Sequence, residues 1–133
     1  MEKRNNNPDD VTFSGENHVI EYVEKSKINK TLTVEENSML NYLLIMRDAD
    51  IKVTIEHTGK KSSSRINCIF LSKDSIKITA DITSSLDADE TSTNMYLLSL
   101  LGSKADCQVD GGVVVSPNIV KASGHLLEEN VIL

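Results

Sequence analysis

The fold turns on the stretch Ser38-Met39-Leu40-Asn41-Tyr42-Leu43-Leu44-Ile45-Met46-Arg47-Asp48-Ala49-Asp50-Ile51-Lys52-Val53-Thr54-Ile55 and on its second copy, Ser63-Ser64-Arg65-Ile66-Asn67-Cys68-Ile69-Phe70-Leu71-Ser72-Lys73-Asp74-Ser75-Ile76-Lys77-Ile78-Thr79-Ala80. The copies align without a gap at an offset of 25 residues, Ser38 on Ser63. Each holds an apolar run, a short charged turn and a strict alternation, Ile51-Lys52-Val53-Thr54-Ile55 or Ile76-Lys77-Ile78-Thr79. Successive strand side chains point to opposite faces, so this alternation predicts a half-buried strand. A fixed period of this size predicts units stacked in one direction. A hairpin meander would also alternate, but its two-residue turns favour Asn-Gly or Asp-Gly, and only Asp110-Gly111 offers such a pair. The expectation is an all-β parallel β-helix of about four coils, with two strands in each.

Outward from this core, residues 1–10 are polar and rich in breakers, with Asn5-Asn6-Asn7 before Pro8, which predicts a disordered arm. Residues 11–133 then form a single domain. His18–Val23 and Thr31–Val34 read as the first two strands. A third, degraded copy runs from Thr91 through Tyr96-Leu97-Leu98 to Asp106–Asp110, with residues 84–90 as an inserted loop. Leu97–Leu101 also reads locally as one helical turn. A fourth coil starts at Gly111-Gly112 and ends with Leu126–Leu133.

The two strand types differ in polarity. In the alternating type, Ile51, Val53, Ile55, Ile76, Ile78, Ala80, Ile82, Cys107, Val109, Val113 and Val115 share one face, and Lys52, Thr54, Glu56, Lys77, Thr79 and Asp81 the other. The other type, in Tyr42–Met46, Ile69–Leu71 and Tyr96–Leu98, is apolar on both faces, so its outer side needs a cover. The final strand, ending in Val131-Ile132-Leu133, presents an edge that would invite pairing. Together these predict a homodimer or higher oligomer whose interface includes Leu44, Met46, Ile69, Leu71, Leu97, Val131, Ile132 and Leu133.

Composition narrows the function. Fourteen Lys and Arg against 20 Asp and Glu leave a net charge of −6, with the acids scattered, which argues against a nucleic-acid or anionic-membrane binder. No apolar segment follows Lys3 and Arg4, and no run of 18 apolar residues occurs, so neither a signal peptide nor a membrane span is expected and a cytoplasmic setting follows. There Cys68 and Cys107 stay reduced, and both read as small core hydrophobes.

Chemistry-bearing patterns are sparse. None of His18, His57 and His125 has a second ligand at helical spacing or a C-x-x-C pair nearby, and His18 and His57 read as solvent-facing or turn residues. His125, Cys107 and Glu128 are the candidates for a metal or small-molecule site assembled across the chain. Asp87, Asp89 and Glu90 resemble the opening of a calcium loop but lack its Gly and closing Glu. Glu128 and Glu129, adjacent on a strand, point to opposite faces and cannot share one site. Ser62-Ser63-Ser64 has no triad partner at a recognisable spacing, and no Gly-rich phosphate loop exists. The expectation is a protein without catalytic residues.

The last stretch, Gly111-Gly112-Val113-Val114-Val115-Ser116-Pro117-Asn118-Ile119-Val120-Lys121-Ala122-Ser123-Gly124-His125-Leu126-Leu127-Glu128-Glu129-Asn130-Val131-Ile132-Leu133, resembles a core segment of the SufB and SufD family of iron–sulfur cluster assembly proteins. The shared order is a Gly (Gly111), an alternating apolar strand (Val113, Val115), a Pro turn (Pro117), an aromatic or His position (His125), and Asn130 before three aliphatic residues. The likeness is specific over residues 111–133 and looser back to about Asn29. It implies a right-handed parallel β-helix and a non-enzymatic scaffold that works beside a SufC-like ATPase and other Suf proteins, with an iron–sulfur cluster as the group handled. The family continues to a His-Gly-Ala-Thr motif and an ATPase-docking helical segment that this sequence does not show. Leu126 or Leu127 stands in place of the family's Gln, and Cys68 and Cys107 match none of its sulfur-handling cysteines, so no cluster ligand transfers to a residue here. A β-helix module that binds a metal or small molecule near His125, or a fragment without activity, remains as the alternative.

Overall fold

A computed structural model describes residues 2–4, 10–72 and 77–133. Every regular element among them is a β-strand: β1 (Glu2–Arg4), β2 (Asp10–Phe13), β3 (Glu16–Glu24), β4 (Lys27–Val34), β5 (Met39–Arg47), β6 (Asp50–His57), β7 (Ser63–Ser72), β8 (Lys77–Leu86), β9 (Ser92–Leu101), β10 (Asp106–Val115) and β11 (Ser123–Ile132). The strands alternate between two sheets. One has the order β1-β3-β5-β7-β9-β11 and the other β10-β8-β6-β4-β2, and all pairings are parallel. Leu97–Leu101 is therefore strand, and Asp110-Gly111 lies inside β10 rather than at a hairpin. Of the expected amino-terminal arm, residues 1 and 5–9 lie outside the described residues, as do Ile76 and the turn at residues 73–75.

The alternation in sequence becomes inside and outside. Ile51, Val53 and Ile55 on β6, and Ile78, Ala80 and Ile82 on β8, are buried between the sheets, facing Leu40, Tyr42, Leu44 and Met46 on β5, Ile66, Cys68 and Phe70 on β7, and Met95 and Leu97 on β9. Burying such a side chain stabilises the fold by about 1.5–3 kcal/mol, so these facing ranks are the main cohesive force. On β10, Cys107, Val109 and Val113 pack half-buried against this core, while Val115 is exposed.

The repeat holds, but its register differs from the sequence alignment. Leu44 pairs with Cys68, Ile45 with Ile69 and Met46 with Phe70, an offset of 24 residues, whereas Ile51 pairs with Ala80, an offset of 29. Going from 25 to 29 preserves parity and leaves every face unchanged. Going from 25 to 24 reverses it. Leu44, Met46 and Leu97, expected at an interface, are accordingly core residues with no exposure. The outer positions are their neighbours Leu43, Ile45, Leu98 and Leu100, together with Ile69 and Leu71, which stand outside as expected. Two divisions also shift. Residues 84–86 end β8 instead of opening a loop, and Asp106–Val115 is one strand rather than the end of one coil and the start of the next.

The corners carry their own pattern. Asn37, Lys61 and Glu90 adopt left-handed φ of 56°, 59° and 60°, each directly before a buried Ser38, Ser62 or Thr91. Those hydroxyls donate to the carbonyls of Glu36, Gly59 and Ala88 at 2.7–3.1 Å, closing each corner locally. Backbone bonds then stack corner on corner, Asn37 N–H to the Lys60 carbonyl and Lys61 N–H to that of Asp89. Gly59 is needed for this approach, because a Cβ there would lie 2.1 Å from the Glu36 nitrogen.

Candidate functional site

The outer surfaces of the two sheets are chemically unlike. On the five-stranded sheet the register lines up Lys27, Asp50, Thr79 and Gln108, then Asn29, Lys52, Asp81 and Asp110, then Thr31, Thr54 and Thr83. Those rows are polar, and Val114, 52% exposed on β10, is the apolar exception on this surface. On the six-stranded sheet, Ile20, Leu43, Asn67 and Tyr96 stand in one row, Tyr22, Ile45, Ile69, Leu98 and Glu129 in the next, and Glu24, Arg47, Leu71, Leu100 and Val131 in a third. The apolar field is centred on Leu43, Ile45, Ile69, Leu71, Leu98 and Leu100 and interrupted by Asn67. Tyrosines border this apolar field. Tyr96 donates to Glu129 at 2.9 Å and Tyr22 to Glu24 at 3.0 Å, and the carboxylate acceptor raises each phenol above its ordinary pKa. At the far end, Leu127 on β11 extends the first row, and Ile132 and Leu133 are 74% and 78% exposed.

Above the apolar rows the same surface turns polar. His18, Asn41, Arg65, Asn94 and His125 form one row across β3, β5, β7, β9 and β11. His18 Nε2 contacts Glu16 Oε1 at 3.2 Å and Asn41 Nδ2 contacts His18 Nδ1 at 3.2 Å.

The metal candidates separate. His125 is on the outer side of β11, while parity turns Cys107 and Glu128 towards each other across the last turn of chain, where Cys107 is half-buried and Glu128 remains exposed. Burial, with the Asp106 and Glu128 charges, keeps the Cys107 thiol protonated against the pull of Ser99, and burial alone does so more strongly for Cys68. No group of three or more His, Cys, Asp or Glu side chains gathers among the described residues to supply the ligands of a metal centre. These residues do not fit an iron–sulfur cluster, and no step through one is derived. Gly111, which carries part of the family resemblance, has a packing role: its Cβ would meet Leu97 Cδ1 at 2.6 Å.

Two interior polar groups escaped the sequence reading. Glu21 on β3 accepts from both Lys30 on β4 and Tyr42 on β5, and all three are buried. Burial first, and the Glu21 carboxylate second, hold the Tyr42 phenol well above its usual pKa. The second is centred on His57, which is fully buried rather than solvent-facing, because it ends β6 at an inward position. The Ser85 carbonyl can only accept, so Nδ1 at 2.9 Å carries the proton and Nε2 accepts from Ser64 Oγ at 2.7 Å. Thr93 then donates to Ser64 (2.8 Å) and Ser84 to Thr93 (2.9 Å), a one-way chain across the interior. Parity was the available signal: Glu21 falls in step with Val19 and Val23, and Lys30 with Leu32 and Val34.

No family model matches the chain, and neither a curated protein nor a solved structure does. Among the described residues no helix is long and apolar enough to cross a membrane.

Proposed function

We propose that this chain is a non-enzymatic scaffold, wound as a right-handed parallel β-helix with two strands per coil and related to the SufB and SufD core of iron–sulfur cluster assembly. The winding is supported by strands that alternate between two sheets and pair only in parallel with the strand two places on, since such crossovers are right-handed almost without exception. The scaffold reading rests on one observation, the apolar field on the outer surface of the six-stranded sheet, centred on Leu43, Ile45, Ile69, Leu71, Leu98 and Leu100, beside a mostly polar outer surface on its counterpart. An apolar field of this kind on an outer sheet surface marks a place for another chain, and covering it stabilises both.

The partners proposed are a second copy of this chain and, through the family likeness, a SufC-like ATPase or other Suf proteins; cytoplasmic localisation goes with this reading. Light scattering at micromolar concentration should give a mass of at least two chains, and co-expression with the Suf proteins of the same genome should yield a complex that survives affinity purification. A monodisperse monomer that retains none of them would overturn the proposal.

A further inference from the structure

Arg65 occupies an unusual place for a cation on an acidic protein. It sits centrally in the polar row of the six-stranded sheet, between Asn41 and Asn94. Its register neighbours on the outer surface are Ser63 and Asn67 on its own strand, Met39, Asn41 and Leu43 on β5, and Ser92, Asn94 and Tyr96 on β9. None is a carboxylate, although the chain carries 20 Asp and Glu. The nearest acid in the pattern, Glu16, is engaged by His18. Among the described residues Arg65 has no ion pair, and its side chain is exposed.

The space beside it is shaped. A cavity of about 250 Å³ is lined by Arg65 with Met39, Asn41, Ser63, Ser64, Ser92 and Asn94, the Ser64 hydroxyl being turned inward to His57 and Thr93. One wall is pre-set: Glu16 accepts from His18 Nε2, which leaves Nδ1 to accept from the Asn41 amide, so Asn41 is held before any ligand arrives. The rest of the lining offers a guanidinium fork, two hydroxyls and an amide. A guanidinium binds planar or tetrahedral oxyanions through paired N–H donors, and flanking hydroxyls and amides complete the shell. The volume suits a single anionic group rather than a drug-sized molecule.

The geometry points to an oxyanion-binding site at Arg65, taking the carboxylate or phosphoryl group of a small molecule. This stands independently of the scaffold reading, since it uses a different part of the surface and needs no partner chain.

The test is titration of the isotope-labelled full chain with inorganic phosphate and, separately, with acetate, each at constant ionic strength made up with chloride. Saturable shifts of the Ser63, Ser92, Asn41 and Asn94 amides are expected for at least one anion, and the better ligand tells a phosphoryl from a carboxyl site. Arg65→Gln should weaken binding by about tenfold or more, and Arg65→Lys, which keeps the charge but loses the fork, by less. Lys52→Gln, on the opposite sheet, should leave the affinity unchanged. Thermal melts of all three variants, each at an exposed position, should match the parent. Shifts that fail to saturate, that persist in Arg65→Gln, or that fall equally in Lys52→Gln would overturn the site.

Discussion

At the scale of single residues, the interior polar groups stake most on their partners. Glu21, Lys30 and Tyr42 form a closed set, so removing Glu21 or Lys30 strands a buried charge. Lys30→Met is expected to lower the unfolding free energy in urea by about 3–5 kcal/mol, whereas the joint replacement Glu21→Leu, Lys30→Met, Tyr42→Phe should cost far less, because no charge is left unpaired. His57 adds a pH dependence. Burial lowers its pKa below the ordinary 6.5, against smaller opposing effects of the Ser85 carbonyl and the Asp87 charge. The unfolded chain therefore takes up a proton below pH 6.5 that the folded chain refuses. Stability from this residue is fully present above that pH and declines as pH falls below it. The urea midpoint should drop between pH 7.5 and 5.5 in the parent and drop less in His57→Gln; equal slopes would assign the effect to another group.

At the scale of elements, the strands follow from alternation, but the corners depend on backbone geometry. Left-handed Asn37, Lys61 and Glu90, each followed by a hydroxyl that closes its corner, take the place that glycine often fills. Gly59 is the exception, for steric reasons rather than for φ. Gly59→Ala would drive a Cβ into the Glu36 backbone and is expected to cost about 1–3 kcal/mol, read as a fall in melting temperature. A melt equal to the parent's would show that the stacked corners can separate at little cost. The turn pattern of a left-handed residue before Ser or Thr was present in the sequence, in Asn37-Ser38, Lys61-Ser62 and Glu90-Thr91. It was not legible there because neither Lys nor Glu announces a left-handed conformation.

At the scale of the whole molecule, the contrast between the two outer surfaces carries the functional reading. Ile45 and Ile69 are paired neighbours at the middle of the apolar field. Replacing both by Lys should reduce the mass seen by light scattering to that of one chain while leaving the far-ultraviolet circular dichroism unchanged, since neither side chain points into the core. An unchanged mass would move the contact elsewhere, with the exposed edge of β11 next to be tested.

Local pattern by itself determined that this chain is all-β, that its strands repeat, and that one strand type is apolar on both sides, because alternation and composition are properties of short segments. Tertiary structure alone decided which of two adjacent apolar residues faces inward. Leu44 and Ile45 are equally apolar, and only the pairing of Leu44 with Cys68 and of Ile45 with Ile69 assigns one to the core and the other to the surface. The same pairing brought Arg65 between Asn41 and Asn94, residues that lie far apart in the chain. Register is set by the collective fit of many strands across the sheet, and a shift of one residue, invisible to a repeat alignment, exchanges the two faces.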